Sequence, residues 1–127
     1  MKHWLLLALL LSPGTAAAFT ISFDWDGLKR CTSGNPVSVP NPAFVLTDVP
    51  EGTRFIRFKL VDLNKRSVNH GGGVVAYAGE STIAPGAFKY KSPCPPNGAH
   101  MYEWTATAQS EKDGGKISTA KAKRPYP

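Results

Sequence analysis

The sequence predicts an all-β domain, an antiparallel β-sandwich with little helix, and three observations carry that prediction. Glycine and proline together supply 23 of 127 residues (12 Gly and 11 Pro), against a usual share of about 12%, which suits short strands joined by many turns. Charged residues make up 19%, below the usual ~25% and too few for a helical bundle or coiled coil. Several stretches alternate apolar and polar residues at period two, the spacing that buries one face of a strand. No internal repeat or interdomain linker interrupts the chain. Its length allows one domain and excludes a nucleotide-dependent multidomain enzyme.

Met1-Lys2-His3 gives a basic start, Leu5 to Leu11 a compact apolar run and Ala16-Ala17-Ala18 a small-residue cleavage site. Residues 1–18 therefore read as a cleaved secretory signal, too short in its apolar part to span a bilayer. Residues 19–127 are the single folded domain, secreted or periplasmic.

Phe19, Ile21, Phe23 and Trp25 alternate with Thr20, Ser22 and Asp24, which predicts a first strand. Asp26 to Pro42 is turn-rich. Ala43 to Val49 is a short apolar strand closed by Pro50-Glu51-Gly52. Arg54 to Asp62 is the clearest strand, with Ile56, Phe58 and Leu60 inward and Arg57 and Lys59 outward. Leu63 to Gly73 is a loop ending in His70-Gly71-Gly72-Gly73, and Val74 to Ala78 is strand again. Glu80 to Gly86 turns, and Ala87 to Lys91 is a short strand. Three prolines and a glycine bar Ser92 to Gly98 from a central strand. His100 to Gln109 sets Tyr102, Trp104, Ala106 and Ala108 on one side. Lys112 to Gly115 is a break suited to a hairpin turn. For Ile117 to Arg124 a short strand and one turn of helix stay open.

Cys31 and Cys94 are the two cysteines. An even count in an exported chain predicts one disulfide, here joining two turn-rich loops and stabilising the fold by about 3–5 kcal/mol in the chain-entropy model. No Cys-x-x-Cys pair supports redox exchange. The formal charge is +6. It reads as a solubilising surface and at most as peripheral contact with anionic lipid. Export excludes nucleic acid.

Beyond the signal, the histidines are His70 and His100, each at the threshold of a predicted strand, and Asp62 ends the strongest strand. A histidine that starts a strand and an aspartate that ends an antiparallel neighbour can share a rim. There imidazoles donate to an anion, a carboxylate fixes the ring tautomer, and Gly71, Gly72 and Gly73 offer backbone N–H groups as a nest.

Asp48-Val49-Pro50-Glu51-Gly52-Thr53 and Ser92-Pro93-Cys94-Pro95-Pro96-Asn97-Gly98-Ala99-His100-Met101-Tyr102 resemble the phosphatidylethanolamine-binding protein (PEBP) family, in its small bacterial YbhB/YbcL-like branch. The similarity runs from about Pro42 to Gln109. It implies an antiparallel β-sandwich with a small pocket for phosphate-like anions, including phospholipid headgroups, walled by His100, Tyr102, Asp62 and His70. Leu63-Asn64-Lys65 stands where the family has proline, aspartate and proline, and Met101 stands where arginine is usual.

Rival chemistries lack their residues. The lipase-like His70-Gly71-Gly72-Gly73 has no Gly-x-Ser-x-Gly elbow to serve. Gly114-Gly115-Lys116-Ile117 lacks the Ser or Thr of a phosphate loop. His70, His100 and Asp62 lack the paired spacing of a metal site. The expectation is a non-enzymatic binding protein with no catalytic residue, metal or cofactor. Its partner is a small anion, a phosphate ester or phospholipid headgroup. The alternative is a protein-interaction module, such as an inhibitor of a secreted hydrolase, anchored through Asn35 to Pro42.

Overall fold

The computed structural model describes residues 17–127. The basic start and apolar run of the expected signal lie outside the described residues. Nine strands follow in order: β1 (Thr20–Ser22), β2 (Ser38–Pro40), β3 (Phe44–Thr47), β4 (Phe55–Asp62), β5 (Gly72–Ala76), β6 (Thr82–Ile83), β7 (Lys89–Lys91), β8 (His100–Glu111) and β9 (Gly114–Tyr126). All pairings are antiparallel. A four-stranded sheet runs β5-β4-β8-β9, with smaller sheets β1-β3-β6 and β2-β7. No helix among the described residues is long and apolar enough to cross a membrane.

Alternation in β4 and β8 builds the core. Ile56, Phe58 and Leu60 are buried, and so are Tyr102, Trp104, Ala106 and Ala108. The register sets Ile56 opposite Ala108 and Phe58 opposite Ala106, so small residues face large ones. Onto this inner face the smaller sheets lower their aromatics. Phe44 of β3 stacks on Phe58 at 4.4 Å and meets Trp104 edge-on at 5.3 Å, while Tyr90 of β7 meets Trp104 at 4.9 Å. Such pairs contribute about 0.5–1.5 kcal/mol each beyond the area they bury. On the outer face, Lys59 of β4, Thr105 of β8 and Lys121 of β9 lie in one row, so these two lysines stand in water, opposite the core.

The four-stranded sheet ends on residues of different character. Asp62 continues the inward series of Ile56, Phe58 and Leu60 and lies opposite Tyr102. His100, two residues before Tyr102, shares its face. β5 begins at Gly72 opposite Lys59, and the Leu60 N–H donates to the Gly71 carbonyl at 3.0 Å. The C-terminal end of β4 thus shares a rim with the N-terminal ends of β5 and β8.

Four elements differ from expectation. β6 lies within the expected turn Glu80 to Gly86, where it pairs with β3, and β5 begins two residues inside the expected loop. Ile117 to Arg124 is neither short nor helical but the middle of the 13-residue β9. Its outward lysines and a register shift at Ala108/Gln109 blur the alternation. The turn-rich segment holds β2, which tolerates Pro40 because it belongs to a two-stranded ribbon with an open edge.

Candidate functional site

Asp62 is 3% exposed and uses its two oxygens separately. Oδ1 accepts the backbone N–H groups of Asn64 at 2.9 Å and Lys65 at 3.0 Å, which ties the turn after β4. Oδ2 lies 2.7 Å from His100 Nδ1. Burial alone pushes this carboxyl upward, but the bonds from His100, Asn64 and Lys65 outweigh it and hold the acid below its ordinary range. The carboxylate is therefore the acceptor and His100 Nδ1 the donor, which sends His100 Nε2 away from the pair.

His70 is 2% exposed. Its Nδ1 lies 2.7 Å from the Lys91 carbonyl, and the Lys91 N–H returns a bond to the His70 carbonyl at 2.8 Å. Nε2 of this buried ring has no partner among the described residues. Tyr102 stands between the imidazoles, perpendicular to His70 at 5.5 Å and stacked with His100 at 6.3 Å. Burial and the Asp62 charge push its phenol upward, so the hydroxyl keeps its proton.

These four side chains line one recess of about 40 Å³, completed by Lys65, Val68, Gly34, Pro36 and Cys94-Pro95-Pro96. One water requires ~10–15 Å³ and a drug-sized site at least ~300 Å³. The recess therefore fits a small polar group and not a lipid chain. Lys65 supplies the cation of its lining.

Cys31 and Cys94 are bonded, with Cα atoms 4.6 Å apart. The bond joins the two loops that wall the recess opposite the sheet. The Gly34 N–H donates to the Cys94 carbonyl at 3.0 Å.

Gly71, Gly72 and Gly73 do not line the recess, and the expected backbone nest is absent there. Gly72 and Gly73 are residues of β5 paired with Lys59 and Phe58, and the Gly71 N–H donates to Asn69 Oδ1. Their smallness serves close packing. A Cβ on Gly72 would lie 1.8 Å from the Phe58 carbonyl oxygen, and one on Gly73 2.6 Å from Phe88 Cβ.

Two residues of the site's frame escaped the sequence reading. Asn64 Oδ1 accepts the Met101 N–H at 2.7 Å, which clamps the turn after β4 to the start of β8. An asparagine two residues after a strand-end aspartate is the signal that could have found it. Tyr126 accepts the Cys31 N–H at 2.8 Å and packs edge-on against Trp25. Nothing local marks that role, because the partner is 95 residues away.

A larger hollow of about 400 Å³ lies elsewhere, among Trp25, Leu28, Val39, Pro42 and Tyr90. It has no histidine, and its buried polar side chain, Asn41, is fully bonded to Pro42, Ala84 and Phe88. The Asn35 to Pro42 segment is tied down by β2 and by the Ser92–Val37 bonds, leaving Val37 half exposed.

No protein-family model and no curated protein matches the sequence. Solved structures do. A phosphatidylethanolamine-binding protein homologue from Chlamydia trachomatis superposes with a TM-score of 0.57 at 20% identity, covering 87% of this chain and 97% of that one. Escherichia coli YbcL, described as a new member of the mammalian PEBP family, gives 0.59 at 16% identity, covering 87% and 98%. At these identities the likeness is one of architecture: over most of its length, this chain has the PEBP-like fold.

Proposed function

We propose that this protein is an exported, non-enzymatic binding protein whose recess holds a small phosphate-like oxyanion. The observation that carries the reading is the pair of imidazoles. Each is anchored through Nδ1, one by a carboxylate and one by a carbonyl, which leaves Nε2 without a protein partner among the described residues, and both rings line a recess sized for a small polar group. Tyr102 adds a hydroxyl and Lys65 a positive charge. The fold shared with two structures described as PEBP homologues or members points the same way. A binding role is favoured over catalysis because, among the described residues, no hydroxyl or thiol hydrogen-bonds either imidazole. Export is supported by the disulfide, which persists in oxidising compartments.

The test is a titration with inorganic phosphate and with phosphoethanolamine followed by NMR. Shifts confined to His70, His100, Tyr102 and the Cys94-Pro95-Pro96 loop, abolished by His100→Ala, are expected. Spectra unchanged at millimolar ligand, or shifts indifferent to His100→Ala, reject the reading.

A further inference from the structure

Provided that the recess holds an oxyanion, the reading on which its selectivity rests, its chemistry goes further than a preference for anions. A backbone carbonyl can only accept, so His70 Nδ1 carries the proton in its 2.7 Å contact with Lys91. A neutral His70 must then present a bare lone pair at Nε2, the buried atom with no partner among the described residues. The Asp62 carboxylate imposes the same tautomer on His100 through its own 2.7 Å contact. In their neutral forms both rings are hydrogen-bond acceptors toward a ligand. The other ionisable groups lining the recess are Asp62, Lys65 and Tyr102, while Cys94 is held in the disulfide, and His70 also borders a neighbouring hollow with Lys59 and Arg66. Lys91 reaches His70 through its carbonyl alone, its side chain being exposed.

An acceptor facing an oxyanion's lone pairs repels it unless a proton lies between them. We infer that the recess selects tetrahedral oxyanions that bring their own proton, such as hydrogenphosphate or the monoanion of a phosphate monoester. Fully deprotonated oxyanions of the same shape, sulfate and phosphodiesters, are disfavoured. When the rings are protonated, Nε2 becomes a donor and the discrimination disappears.

Hydrogenphosphate and sulfate are both tetrahedral and doubly charged, and they differ by one proton, so the pair isolates the effect. Affinities for both are measured by calorimetry at alkaline pH, with imidazole ¹⁵N shifts establishing that both rings are neutral, and again in mild acid where the same shifts report protonated rings. Hydrogenphosphate is expected to bind at least about tenfold more tightly than sulfate at alkaline pH, as befits one charge-assisted hydrogen bond, with the ratio falling toward unity in acid. Phosphoethanolamine and glycerophosphoethanolamine separate the two sources of phosphate at the lowest pH where the ring shifts still report neutral imidazoles. A monoester phosphate loses its last proton at about pH 6 and brings none at alkaline pH, whereas the diester never carries one. The diester, which stands in for an intact phospholipid headgroup, is expected to behave like sulfate. Equal affinity for hydrogenphosphate and sulfate at alkaline pH, with the ring shifts intact, overturns the selection and leaves the site standing. Ring signals that respond to none of the four probes remove the site and the selection together.

Discussion

Asp62 does two jobs with one carboxylate, and their coupling makes a pH signature. Oδ1 closes the turn onto Asn64 and Lys65 while Oδ2 holds His100. Both tasks need the charged form, which is why its pKa is lowered from 3.8. A group depressed on folding stabilises the native state above its unfolded pKa, and that stabilisation is lost as pH falls through the folded value. Asp62→Asn is therefore expected to cost about 1.5–3 kcal/mol near neutrality, the worth of hydrogen bonds to a charged group. The gap to the parent protein should hold steady down to about pH 4 and close below it, read as urea midpoints across that range. A constant gap at every pH would mean that the carboxylate's charge plays no part. The convergence of Asp62, His70 and His100 could be anticipated because strand ends of antiparallel neighbours meet at a rim, a matter of counting residues. The spending of Gly71 to Gly73 on packing could not, since only the distance from Gly72 to Phe58 reveals it.

At the scale of elements, β5 follows His70 and meets β4 at Gly72 with no room for a side chain. Gly72→Ala drives a Cβ into the backbone of Phe58, which cannot move without opening the β4–β5 ladder. The expected loss is about 3 kcal/mol, the upper end of overpacking costs, together with loss of anion binding as His70 shifts. Gly71→Ala is the control. Its φ of 69° is the left-handed conformation, and nothing lies within 4 Å of the added methyl, so the cost should be about 1–2 kcal/mol with the ladder intact. Chemical denaturation ranks the two, and reversal of that order would show that turn strain and not strand approach demands the glycines. β4 and β8 were legible because each buries one whole face against aromatics, so their alternation is strict. β9 was not, because its inward residues Ala120 and Ala122 are small and lysines crowd its outward side. β2 hid behind its prolines.

The whole molecule depends on one covalent tie between distant loops. The strand pairings leave the segments around Gly34 and Cys94 outside the four-stranded sheet, yet both wall the recess. The Cys31–Cys94 bond, spanning 63 residues, restricts the unfolded chain and presses those loops together in the folded one. The chain-entropy model gives about 4 kcal/mol for a loop of this length. The double variant Cys31→Ser/Cys94→Ser should lose stability on that scale, measured by urea unfolding against the parent protein. The sheet core of Phe44, Phe58 and Trp104 makes no use of the bond, so the variant should keep its β circular dichroism under native conditions. Phosphate affinity should nevertheless fall by up to about tenfold, because the Gly34–Pro36 wall is then held to the Cys94 loop by hydrogen bonds alone, that of Gly34 to the Cys94 carbonyl and the pair between Val37 and Ser92, each tenfold corresponding to about 1.4 kcal/mol. A variant that is destabilised but binds phosphate as the parent does would show that the disulfide serves the fold alone, and that the sheet rim by itself holds the recess in shape.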